Sequence, residues 1–225
     1  MIDLTGVSYS YGDTPLLQGV DLALPQGSFH FLTGPSGSGK TTLLRLCYLD
    51  LKPHDGTVRL FGQATGGLDR DGVAMMRRRI GIVHQSCEFL DHLTVAQNVA
   101  LPLAVRGRNP LTADNDLADL LAWTGLGDRA QAYPPELSGG ERQRAALARA
   151  VITSPEMILA DEPTGNVDWD MSLRILQLLL ELNRMGKTVL IATHDLALIR
   201  QAKSQVQARV LRLTSGALAT AGSDL

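Results

Sequence analysis

The sequence has little with which to hold nucleic acid or cross a bilayer. Its formal net charge is −2, from 21 Lys and Arg against 23 Asp and Glu, so no global field draws the chain to a polyanion, and nucleic acid is not an expected partner. No apolar run approaches the ~20 residues a spanning helix needs; the best stretch, 173–182, is interrupted by Arg174, Gln177 and Glu181. The opening MIDLTGVSYSYG carries Asp3 and lacks the basic-then-apolar pattern of a secretory leader. The two cysteines, Cys47 and Cys87, stand far apart without metal-ligand spacing, which implies two reduced thiols in or near the interior. Repeats, low-complexity tracts and linkers are missing too. These absences lead us to expect a soluble, cytoplasmic chain of one domain, whose membrane role, if any, is borrowed from a partner.

What is present is a core-forming α/β pattern. Hydrophobic residues make up 44% and charged residues 20%, enough apolar material for a packed interior. Short β-rich runs alternate with longer stretches of helical period, the mark of parallel α/β construction. The runs place strands at 28–33, 57–61, 80–83, 157–161 and 188–192, and helices at 40–48, 94–101, 115–124, 140–152, 170–184 and 195–201. Residues 2–24 alternate around the turn-rich YGDTP and suggest an antiparallel sheet laid against the parallel core. Residues 86–137 hold several helical stretches, broken by Pro102, Pro110 and Pro134–Pro135, and read as a helical lobe inserted into that core. Phe89, Leu90, Leu93 and Val95 stand among few charges in 86–105, which points to a docking patch or to the lobe's own packing.

Residues 34–41 read GPSGSGKT, a full match to G-x-x-x-x-G-K-[ST] between a strand and a helix. Gly34, Gly37 and Gly39, with Pro35, Ser36 and Ser38 between them, let backbone N–H groups wrap phosphate oxygens at a positive helix end. Lys40 brings a charge to the β- and γ-phosphates, and the Thr41 hydroxyl, beside Thr42, suits Mg²⁺. Residues 157–162, MILADE, form an apolar strand ending in two carboxylates, which in a buried setting need a cation or proton to justify them. Asp161 is the metal partner, direct or through water, and Glu162 can deprotonate the attacking water. ATP and Mg²⁺ are thus the expected ligands.

A third segment, LSGGE at 137–141, continues as RQRAALARA into a helix. Ser138 can cap that helix while Gly139 and Gly140 expose N–H groups, a second anion site. GPSGSGKT, LSGGE and MILADE in this order resemble the ATP-binding subunits of ABC transporters over essentially the whole chain.

The resemblance implies a P-loop NTPase core with a parallel sheet, an N-terminal antiparallel β subdomain and an inserted helical subdomain. By the same resemblance, Tyr11 (or, less aptly, its neighbour Tyr9) stacks on adenine, Gln85 touches Mg²⁺ and water, and His194 contacts the γ-phosphate and Glu162. Asn166, Val167 and Asp168 match the loop that crosses a dimer interface. Two copies would close head-to-tail on two ATP, each LSGGE facing the other copy's P-loop. NVALPL, ADEPTGNVD and LNRMGKTVLIATHD look like the members that serve cell-envelope machines, and most like the cell-division ones. Those work with an FtsX-like permease at the cytoplasmic face of the membrane and govern cell-wall hydrolases. A lipoprotein-release or drug-efflux ATPase and an ATP-driven assembly switch are the alternatives. The length leaves no space for the coiled-coil insertion of DNA-repair relatives, and translation factors of this class carry two such domains.

Overall fold

The computed structural model describes residues 1–107, 114–165 and 167–220. Pro110 and Asn166 therefore lie outside the described residues. Two sheets pack against each other. The first is antiparallel, in the order β2-β1-β4-β5, from β1 (Ile2–Tyr11), β2 (Thr14–Leu24), β4 (Asp55–Leu60) and β5 (Gln63–Ala64). The second runs β10-β9-β3-β8-β7-β6, from β3 (Phe29–Thr33), β6 (Ile80–Val83), β7 (Met157–Asp161), β8 (Thr188–Ala192), β9 (Ala208–Thr214) and β10 (Ala217–Thr220). It is parallel from β6 to β9, with β10 antiparallel at the edge.

Burial explains this division. Every residue of β3, β7 and β8 is buried, as continuous apolar runs covered on both faces must be. Along β7, Met157 and Leu159 pack toward the antiparallel sheet and α1 (Lys40–Cys47). Ile158 and Ala160 pack the other way, toward α5 (Gly139–Val151), α6 (Trp169–Arg184) and α7 (Leu196–Lys203). The run at 57–61, expected among the core strands, belongs instead to β4, which pairs with β1 through Ile2↔Leu60 and Leu4↔Val58. Its alternation is the cause: only Val58 and Leu60 of β4 are buried, so it has one apolar face to cover and not two. β9, β10 and α2 (Arg70–Arg77) fall where no element was expected. Arg209 and Arg212 interrupt the β9 run and hide its strand character.

A third core gathers Val95, Val99, Leu121, Leu126 and Leu137 between α3 (Val95–Val105), α4 (Asp114–Trp123) and α5. α3 starts at a capping box made by Thr94 and Gln97 and runs through Pro102, where a break was expected. So near its C-terminus the proline forfeits one backbone bond, and the Arg106 N–H still reaches the carbonyls of Pro102 (3.3 Å) and Leu103 (3.0 Å). Asn98, fully buried, bonds to the backbone of Leu90, Leu93 and Thr94 and so folds the preceding loop onto the helix. The expected docking patch is largely consumed by this packing: Val95 is buried, and Phe89 lies under the guanidinium groups of Arg149 (4.6 Å) and Arg142 (5.5 Å). Leu90 alone of the four stays exposed.

His30, in the middle of β3, is 1% exposed and its Nδ1 has no hydrogen-bond partner. Burial, with Arg209 beside it, lowers its pKa from 6.5 to about 4. The unfolded chain therefore takes up this proton at a higher pH than the folded one. Its contribution is intact above pH 6.5 and is lost as the pH falls from 6.5 toward 4. In urea titrations at pH 7 and pH 5, His30→Leu should shrink the difference in midpoint seen for the wild type. An equal difference in both proteins would refute the assignment.

Candidate active site

Four strand ends deliver the site. β3 runs into the loop Gly34–Gly39 and then α1. At Gly34 (φ 154°) a Cβ would stand 2.3 Å from the Leu213 carbonyl oxygen and 2.8 Å from Ser38 Oγ, so only glycine lets the loop pass β9. Gly39 precedes α1 in the left-handed region (φ 101°) and gives no side-chain cap, which leaves the first-turn N–H groups available to an anion. Lys40 curls back over the loop, its Nζ donating to the carbonyls of Gly34 (2.9 Å) and Pro35 (3.2 Å).

β7 supplies the carboxylates. Asp161 and Glu162 are each 9% exposed. Burial pushes the Asp161 carboxyl above its usual range; a hydrogen bond from Thr41 opposes that, Glu162 adds to it, and Lys40 and His84 counter it. A cation would relieve the same pressure, so Thr41 and Asp161 fit a bound Mg²⁺. Glu162 sits in the left-handed region at φ 44°, a strain of roughly 1–3 kcal/mol for a residue with a side chain. Its N–H donates to the Ala192 carbonyl at 2.8 Å, which turns the chain out of the sheet. Glu162 Oε1 lies 3.0 Å from His194 Nδ1, whereas Oε2 is buried with no hydrogen-bond partner. His194 comes two residues past β8, and Gln85 two residues past β6.

These groups line one cleft of about 630 Å³: Gly34, Pro35, Ser36, Gly37, Gly39, Lys40, Thr41, Thr42, Gln85, Asp161, Glu162 and His194, with Leu16 and Gly165. Ser38 turns inward, its hydroxyl buried and unpartnered. Leu16 and Gly165 were not expected. Leu16 is an ordinary strand position in sequence, whereas Gly165, three residues past Glu162, carried a signal in the PTG turn. Tyr11 flanks the cleft, 49% exposed, its hydroxyl 3.5 Å from Thr42 Oγ1 and 3.4 Å from Arg45 Nη1. The face of Tyr9 is taken by the His54 ring, stacked at 4.9 Å, which leaves Tyr11 as the better platform for a base.

Ser138, Gly139, Gly140 and Asp168 do not line this cleft. Ser138 caps α5 in a capping box with Glu141: its Oγ accepts from the Glu141 N–H at 3.3 Å and its own N–H donates to Glu141 Oε2 at 2.8 Å. The Ser138 N–H and hydroxyl, both donating to Oε2 at 2.8 Å, and Arg129 hold the Glu141 carboxyl below its usual range. Asp168 caps α6, accepting from the Met171 N–H at 2.8 Å. A larger groove of about 860 Å³ opens between α2, β6 and α3. Lys52, Arg70, Arg77, Arg78, Arg106 and Arg149 line it with Leu101, Pro102 and Val105, against the one acid Asp69. It holds neither the phosphate loop nor the paired carboxylates.

A phosphate loop, a carboxylate pair at the end of a second strand of the same sheet and a parallel sheet between helices define a P-loop nucleoside triphosphatase. The family model described as ABC transporter matches residues 17–165. The chain is similar to the cell division ATP-binding protein FtsE of Haemophilus influenzae, 45% identical over 203 residues, covering 89% of this chain and 93% of that protein. It is 36% identical to the methionine import ATP-binding protein MetN of Brucella abortus, covering 99% of this chain but only 59% of that protein. Among solved structures, it is similar to the dimeric post-hydrolysis state of the ATP-binding cassette MJ0796 bound to ADP and Pi, with TM-score 0.87 and 35% identity, covering 97% of this chain and 96% of that one. The chain belongs to the ABC transporter ATP-binding family and is an ATPase of that class.

Because the Gly34 site has no space for a Cβ, Gly34→Ala must displace the loop that faces the cleft. A displacement of ~1 Å at such a loop can cost about 10²-fold in function. Titration with a fluorescent ATP analogue should show that loss in a variant that still unfolds cooperatively. Undiminished affinity would mean that the loop does not hold the phosphates.

Proposed function

We propose that this chain is the ATP-hydrolysing subunit of a membrane complex of the cell-division type. Two copies close head-to-tail on two ATP and drive an FtsX-like permease that controls cell-wall hydrolysis, and the chain works at the cytoplasmic face of the membrane through that partner. The observation that carries the ATP reading is the shared cleft of Lys40, Thr41, Gln85, Asp161, Glu162 and His194. The separation of Ser138, Gly139, Gly140 and Asp168 from that cleft supports the dimer: these groups can serve a nucleotide only if it is held by a second copy. The similarity to FtsE along nearly its whole length favours cell division over lipoprotein release or drug efflux.

Within the cleft, Lys40 and the N–H groups of the loop bind the phosphates, and the exposed face of Tyr11 receives adenine. Thr41, Asp161 and Gln85 would hold Mg²⁺, which neutralises phosphate charge. Glu162 is the general base that accepts the proton of the attacking water, its carboxylate located by the 3.0 Å contact of Oε1 with His194 Nδ1. His194 also reaches the γ-phosphate, so base and substrate are located by one imidazole. The segment 86–137 acts as a helical lobe inserted into the single ATP-binding domain. The basic and apolar groove beside α3 suits the membrane partner better than the half-buried Phe89 does.

Glu162→Gln keeps the bond to His194 but weakens the base, at a cost of ~10²–10⁴-fold in turnover. It should bind ATP and run as a dimer with Mg²⁺-ATP but not with ADP on size exclusion. In cells it should be dominant-negative, and normal growth would favour the assembly switch. Val105, 70% exposed at the groove, gives a separate arm: Val105→Glu should abolish co-purification with the permease and preserve basal ATPase. Retained co-purification would remove the groove from the docking model.

A further inference from the structure

Gly140 and Asp168 lie on different elements, yet one side chain joins them. A Cβ built on Gly140 would stand 2.8 Å from Met171 Cγ, 3.0 Å from Cε and 3.1 Å from Sδ. The Met171 side chain therefore lies directly over the Gly140 backbone in the first turn of α5. One turn along that helix, Arg144 Nη1 donates to the Met171 sulfur. From the other side, the Met171 N–H donates to Asp168 Oδ1 at 2.8 Å, and the next residue, Ser172, donates its hydroxyl to the Asp168 carbonyl at 2.9 Å. Met171 is half-buried at the seam of the two helix starts, and neither Gly140 nor Asp168 lines the cleft that holds Lys40.

We infer that Met171 is a positioning residue for the nucleotide site of the partner copy: it sets the N–H groups of Gly139 and Gly140 against Asp168, so that both reach that site as one rigid unit. The inference rests on the shared-site reading above. The physical reason is that glycine has no side chain with which to fix its own place. Two consecutive glycines at a helix start are located by what packs on them, here an unbranched thioether that fills the gap to α6. Met171 does not line its own cleft, so its loss should be felt by the other copy's nucleotide.

Met171→Ala should lower turnover by about 10²-fold, the cost of a ~1 Å misplacement of catalytic groups. ATP affinity of the isolated copy, which reads its own cleft, should stay at the wild-type value. Met171→Leu fills similar volume and should restore most of the turnover. Mixing Met171→Ala with Lys40→Ala should recover activity to about a quarter of wild type, since half of randomly paired dimers contain one intact composite site. Mixing Ser138→Arg with Lys40→Ala is the parallel control for the shared site. If the Ser138 mixture recovers and the Met171 mixture does not, Met171 acts only within its own copy and the inference is overturned. If neither recovers, the shared-site reading itself falls. Wild-type turnover in Met171→Ala, or weakened ATP binding in the isolated copy, would also overturn it.

Discussion

The site depends on the register of one strand. β8 pairs in parallel with β3 on one side and β7 on the other, Leu32 and Asp161 both standing opposite Ala192. The Glu162 N–H bonds to the Ala192 carbonyl at 2.8 Å and the Thr193 N–H to the Leu32 carbonyl at 3.0 Å. The phosphate loop, the carboxylate pair and His194 thus leave the sheet at one level. Parallel strands all carry their C-terminal ends to the same edge, which is why ligands collect there. A slip of one residue in β8 would turn its side chains to the opposite faces and carry His194 away from Glu162. The apolar alternation of β8, Leu190 and Ala192 toward one core and Val189 and Ile191 toward the other, opposes that slip.

The same frame separates two kinds of glycine-rich helix start. The P-loop is narrow because Gly34 must pass beneath Leu213; its glycines are shaped by their own chain. The start of α5 has its side-chain bonds satisfied internally through Ser138, Glu141 and Arg129, and its glycines do not line the cleft. A loop that is rigid and electrostatically prepared without touching its own cleft is suited to act on a neighbour.

α5 also carries the link to Gln85. Arg149 donates to the Glu88 carbonyl and, with Arg142, covers the Phe89 ring; Arg142 bonds in addition to the Pro134 carbonyl, just before Ser138. The loop holding Gln85 is therefore tied to the helix that begins with the second anion site. Arg149 also lines the basic groove beside α3. The loop that carries Gln85, the glycine-rich helix start and the groove are thus all in contact with this one helix.

Sequence alone determined the identities of the chemical groups and the core strands β3, β6, β7 and β8. GPSGSGKT, MILADE and LSGGE are local patterns whose chemistry follows from residue type and spacing, and β3, β7 and β8 announce themselves as continuous apolar runs. Tertiary structure decided what spacing cannot carry. Whether TVRLF at 57–61 joins the parallel or the antiparallel sheet depends on which partner covers its single apolar face. Whether Phe89 is a surface or a platform depends on two arginines more than fifty residues away in sequence. Only the folded chain could stack the His54 ring on the face of Tyr9 or bring Met171 onto Gly140. In each case the deciding contact lies between residues distant in the chain, and local composition has no term for it.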